Sequence, residues 1–162
     1  MARAIEDAGA DALIVHGRHW TNDYAWPSDF HHIGKMKQAV QIPVIANGDI
    51  ATEDSLAKVI EASGCDAYMI ARAGSGKPWL YQQLLADKGA FINVDHAVKI
   101  ECFFEHLQGL SRLESEHQAV LQSKTLVRYY FKSTLSAQQL QSYYALNGLN
   151  QIEQFILAAV HV

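Results

Sequence analysis

Ile42-Pro43-Val44-Ile45-Ala46-Asn47-Gly48-Asp49 is the stretch on which the reading of this chain turns. Five apolar residues, three of them β-branched, end abruptly in an amide, a glycine and a carboxylate. A short continuous apolar run of this kind suits a strand buried on both faces of a parallel sheet, and a proline is tolerated at its first positions. Two further runs have the same form. Asp11-Ala12-Leu13-Ile14-Val15 leads into His16-Gly17-Arg18, and Asp66-Ala67-Tyr68-Met69-Ile70 leads into Ala71-Arg72 and then Ala73-Gly74-Ser75-Gly76-Lys77.

Helical segments separate these runs. Ala2 to Ala8 reads as a helix closed by Gly9, His31 to Val40 as a second, and a third runs to about Ala62 from an N-cap at Thr52. Strands alternating with helices at roughly 25 to 30 residue spacing are consecutive βα units of a parallel sheet. A weak internal repeat agrees: Ala8-Gly9-Ala10-Asp11-Ala12 is echoed by Ser63-Gly64-Cys65-Asp66-Ala67. The loop from His16 to Asp29 is rich in aromatic and polar residues, among them Trp20 and Trp26, which are open to either role, packing or covering a ligand.

After Leu85 the strand-like runs stop. Amphipathic stretches at about Val94 to Leu113, Ser115 to Leu135, Ala137 to Leu146 and Gln151 to Val160 predict helices, with Ser136 as an N-cap and Asn147-Gly148 as a turn. The expected organisation is an α/β domain over 1–86 and an all-α domain over 90–162, divided within Asp87-Lys88-Gly89-Ala90.

With 162 residues, 49% of them apolar, and a net charge of -4, the chain excludes disorder and coiled coil. A whole (β/α)8 barrel needs about 250 residues, so a barrel reading makes this a partial one. No apolar run approaches the length of a membrane span, and the acidic start is no signal peptide. A soluble, cytoplasmic protein without a membrane partner is expected. Cys65 and Cys102 have no CxxC neighbour, which argues against a disulfide framework or a metal site; each reads as a small buried hydrophobe.

In βα units, ligand groups gather at the carboxyl ends of the strands. Asn47-Gly48-Asp49 and Ala71-Arg72 suit a phosphate, because small residues let backbone N–H groups approach an anion and a guanidinium grips its oxygens. Glycines that merely close turns are the plainer alternative. His16 divides evenly between ligand contact and a structural role. Further on, Lys124, Arg128 and Lys132 recur at i, i+4 and i+8, a basic stripe beside Tyr129 and Tyr130. Such a stripe can follow a phosphate backbone, although most charged helix faces are simply solvated. The pairs Phe103-Phe104, Tyr129-Tyr130 and Tyr143-Tyr144 are expected to pack helices together, and Trp79 to pack the last barrel helix.

Gly9-Ala10-Asp11-Ala12 through Val15-His16-Gly17-Arg18, Ile42 through Ile50, Gly64 through Arg72 and Gly76-Lys77-Pro78-Trp79-Leu80 resemble, in order and spacing, the later part of bacterial tRNA-dihydrouridine synthases. The resemblance covers roughly the first half of the chain; the helical remainder is similar to the family's tRNA-binding domain by position and pattern. It implies strands six to eight of a (β/α)8 TIM barrel. It also implies FMN, with His16 at the isoalloxazine, Asn47, Gly48 and Asp49 along the ribityl-phosphate, and Ala71 and Arg72 at the phosphate. The family usually has glycine where this chain has Ala71. Arg18 and Tyr24 fall in a loop that in the family faces the substrate nucleotide, and Lys124, Arg128 and Lys132 would meet tRNA.

The implied reaction reduces the C5–C6 double bond of uridine in tRNA, with NADPH as reductant and a cysteine as general acid. That cysteine, and a lysine near the flavin, belong to earlier strands, so no catalytic residue is assigned here. The competing readings are a non-catalytic RNA-binding remnant and another FMN- or phosphate-binding barrel oxidoreductase. Open sheet edges lead to an expectation of self-association, or of a partner carrying the missing strands.

Overall fold

The computed structural model describes residues 1–23, 25–86 and 94–160. The expected division at Asp87 to Ala90 lies outside the described residues. Two compact units form: Met1–Gly74 with Leu80–Ala86, and Ser75–Trp79 with the residues from 94 onward.

The first unit holds a parallel sheet of β1 (Leu13–His16), β2 (Val44–Asn47) and β3 (Ala67–Met69), in the order β1-β2-β3. β2 and β3 are each one residue shorter than their apolar runs, and the flanking groups are occupied elsewhere. Pro43 has no N–H for the ladder, and its carbonyl accepts from Leu13 (2.9 Å) just ahead of the pairing. Asp66 stays outside β3: one carboxylate oxygen accepts the Val44 N–H at 2.7 Å and meets Lys37 Nζ at 2.7 Å.

Three helices flank the strands in sequence, α1 (Ala2–Asp7), α2 (Phe30–Ala39) and α3 (Glu53–Ser63). Asp29 caps α2 by accepting from the His32 N–H, and Thr52 forms a capping box with Ser55. Leu13, Val44 and Ala46 pack with Ile33 and Val59 in one core. On the other face Ile14 is 63% and Met69 41% exposed, while Ile45 is half-buried and Asn47 buried between them. Among the described residues, the outer edges of β1 and β3 pair with no strand.

A 3-10 turn at Arg72–Gly74 follows β3, and α4 spans Trp79–Leu85. The second unit is built from α5 (His96–Leu113), α6 (Glu116–Phe131), α7 (Ala137–Tyr144) and α8 (Leu149–Val160), with Asp95, Ser115 and Ser136 as caps. Helix α6 stops four residues earlier than its periodicity predicts. The N–H groups of Thr134 and Leu135 both return to the Phe131 carbonyl (3.0 Å each), closing a turn just before Ser136 starts α7.

Phe103, Val127, Phe131, Tyr143, Ile152 and Ile156 form the core of this unit. Phe103 meets Phe131 edge-on at 5.2 Å. Adjacent aromatics divide between inside and outside, as a 3.6-residue period requires: Tyr130 and Tyr143 are buried, Tyr129 and Tyr144 exposed. Trp79 packs against this core. Its ring lies edge-on to Tyr130 at 6.4 Å and joins this core. The cause is Gly76, buried at φ +66°, where an added Cβ would stand 2.6 Å from Tyr129 Cβ and 2.8 Å from the Tyr130 nitrogen. That close approach seats the segment carrying Trp79 on α6.

Candidate anion-binding site

The parallel register sets His16 beside Asn47 and Asn47 beside Met69, so three strand tips share one row at the carboxyl end of the sheet. A cleft of about 380 Å³ opens there, lined by His16, Asn47, Gly48, Asp49, Ala71 and Arg72, together with Met69, Ile50, Ala51 and Ala73. All six residues anticipated at a cofactor thus lie around a single cavity.

Gly48 and Asp49 both adopt positive φ, 134° and 46°. A side chain at Gly48 would collide with Ser28, whose Cβ lies 2.9 Å from the position of an added Cβ. Left-handed backbone at a residue with a Cβ is unfavourable and persists where surrounding contacts over-determine it. Here the contacts converge on the Asp49 carboxylate. Arg18 Nη2 donates to both oxygens at 2.8 Å, Ser28 donates through its N–H (2.9 Å) and hydroxyl (3.0 Å), and Arg72 Nη2 approaches at 3.3 Å. Burial pushes the Asp49 carboxyl up; hydrogen bonds from Arg18 and Ser28 outweigh it and hold the group below the usual carboxylate range.

The two arginines differ. The Arg18 side chain is 5% exposed and its Nε also donates to the Trp26 carbonyl at 2.7 Å, so it ties the loop after β1 to the loop after β2. Arg72 is 57% exposed and borders the cleft. The Asp49 carboxylate is thus shared by two guanidiniums, of which Arg72 is the more exposed. His16 Nδ1 accepts from the Arg18 N–H at 3.1 Å, which places the proton of the neutral ring on Nε2. Arg18 therefore sits on Asp49, not at the surface; Tyr24 lies outside the described residues.

Ser28 and Met69 escape a reading of single segments. Met69 follows from register, being the last residue of β3, beside Asn47. Ser28 carries no local signal, because it reaches Asp49 across 21 residues.

Cys65 is buried ahead of β3, at the end of the sheet opposite the cleft, and Cys102 is on α5. Burial, followed by the neighbouring Glu105 and Glu101 carboxylates, pushes the Cys102 thiol up. Among the described residues no His, Cys, Asp and Glu group could hold a metal, and no helix is long and apolar enough to cross a membrane.

In the second unit, Arg128 on α6 and Lys132 at its C-cap are exposed and line a cleft of about 440 Å³ with Thr125, Tyr129 and Leu140. Lys124 is half-buried and is not part of that lining. Among the described residues none of the three cations has an ion-pair partner.

The family model described as Dihydrouridine synthase (Dus) matches residues 1–159. The chain is 32% identical over 145 residues to tRNA-dihydrouridine synthase B of Pseudomonas aeruginosa, covering 88% of this chain and 44% of that protein. It is 34% identical over 135 residues to the protein of that name from Xanthomonas campestris pv. campestris (82% and 41%), and 43% identical over 84 residues to that of Vibrio vulnificus (52% and 26%). The chain spans less than half the length of these curated relatives. With 159 consecutive residues matched, the chain belongs to the dihydrouridine synthase family.

Proposed function

We propose that this chain is the carboxyl-terminal part of an FMN-dependent tRNA-dihydrouridine synthase. On this reading β1, β2 and β3 are strands six to eight of a TIM barrel, and α5 to α8 form the tRNA-binding domain. Uridine in tRNA is reduced to 5,6-dihydrouridine in the cytoplasm at the expense of NADPH. The exposed Ile14 and Met69 and the edges of β1 and β3, unpaired among the described residues, support the barrel reading, since both are what a sheet missing its remaining strands would leave.

One observation carries the cofactor assignment: His16, Asn47, Gly48, Asp49, Ala71 and Arg72, drawn from three separate strand ends, border one cleft with an accessible guanidinium. The donor set fits a phosphate ester. Arg72 would hold the phosphate, and the backbone at Gly48 and Ala71 allows close approach, because alanine keeps its N–H where the family usually has glycine. Asn47 offers an amide to a polyol chain and His16 an Nε2–H to a ring carbonyl. FMN, when bound, supplies hydride chemistry at its ring, while these side chains supply binding and orientation.

Flavin fluorescence of FMN titrated with the full chain tests the assignment. Saturable binding by the wild type and at least about tenfold weaker binding by Arg72→Ala are expected. No binding by the wild type would favour the RNA-binding remnant.

A further inference from the structure

We infer that the cleft on α6 and α7 is a nucleotide pocket: it takes an unpaired RNA nucleotide, with the base against Tyr129 and the phosphate between Arg128 and Lys132. The inference rests on the RNA-binding reading of this unit and adds to it a defined base-binding subsite.

Charge is unevenly distributed along the chain. From His117 to Ile152 there is no aspartate or glutamate, yet Lys124, Arg128 and Lys132 are there. The chain's -4 is therefore +3 in this stretch and -7 elsewhere. Such local polarity inside an acidic chain is the electrostatic footprint of a polyanion partner.

Shape and chemistry narrow the partner. Phosphate tracking alone needs only exposed cations, whereas this cleft sets Tyr129 beside Arg128 and Lys132, with Leu140 as an apolar wall and the Thr125 hydroxyl as a further polar group. An aromatic face, an apolar wall and cations at one cavity match a base joined to its phosphate, and bases become available to such a face only where RNA is unpaired.

The platform is also preorganised. Tyr129 is 48% exposed, but its Cβ and backbone are backed by Gly76, where no Cβ fits, and the neighbouring Tyr130 is buttressed by Trp79. A stacking side chain held at its root loses less freedom on binding than one on a free helix face.

Fluorescence anisotropy with a labelled unstructured pyrimidine RNA octamer and an equal-length RNA duplex tests this on the full chain. Tyr129→Leu should weaken octamer binding about tenfold, leave duplex binding within about twofold, and keep the salt dependence; Tyr129→Phe should bind like wild type. Arg128→Gln with Lys132→Gln should weaken both ligands and reduce the salt slope by about 1.4 for the octamer and about 1.8 for the duplex. If the double charge variant loses binding while Tyr129→Leu does not, the pocket is overturned and RNA contact through phosphates stands. If the wild type binds neither RNA, the RNA-binding reading fails and the pocket with it. Photocrosslinking of a 5-iodouridine octamer to the wild-type chain removes dependence on variant folding: a crosslink on the peptide holding Tyr129 is expected, and crosslinks confined to other peptides would overturn the assignment.

Discussion

The Arg18 guanidinium donates to both carboxylate oxygens of Asp49 at 2.8 Å, joining the tips of β1 and β2 across 31 residues. The pair explains why a non-glycine residue holds φ +46° at the mouth of the cleft. It also separates two kinds of arginine: Arg18 organises the loops, and Arg72 meets solvent.

Asp49→Asn keeps the shape of the side chain and removes its charge, leaving the nearly buried Arg18 without its carboxylate. Chemical denaturation should show a loss of about 2 kcal/mol, less than for a wholly buried pair because Asp49 is one-third exposed. Unchanged stability would mean that the pair is incidental.

Acid should weaken the fold through the same group. Asp49 has a folded pKa depressed below its ordinary 3.8, so its contribution is fully present above that value and is lost as pH falls through the folded pKa. Asp66 is lowered as well, first by the Lys37 hydrogen bond and then by the Val44 N–H. Thermal melting between about pH 6 and 2.5 should fall off below about pH 4, and Asp49→Asn should flatten that decline. An acid limb identical in the variant would assign it to other carboxylates.

Gly48→Ala must place a Cβ against Ser28 at φ +134°. The β2 loop would shift, with a stability loss of about 2 kcal/mol or more and loss of FMN binding. A variant that melts like wild type and binds FMN equally would show that this loop is tolerant.

The uncovered sheet face should cause association. Ile14 and Met69 lie exposed between edges that pair with no strand among the described residues, and light scattering coupled to size exclusion should find assemblies larger than 18.0 kDa. Ile14→Lys should reduce them. A wild-type monomer at tens of micromolar would contradict this.

The sequence by itself determined the three strands and seven of the helices, in order; α4 and the 3-10 turn after β3 were not marked. Apolar runs and glycine turns marked three strands, Thr52 and Ser136 capped helices as their residue types dictate, and the polar residues just after Val15, Ala46 and Ile70 marked where ligand chemistry gathers. These are local properties, set by backbone periodicity and by side chains bonding a few residues away. Tertiary structure alone decided which groups meet. Ser28 reaches Asp49 across 21 residues, Arg18 withdraws from the surface to the same carboxylate, and Trp79 joins Tyr130 because Gly76 lets two backbones touch. Such pairings depend on the three-dimensional register of separate segments, which no periodicity within one segment encodes.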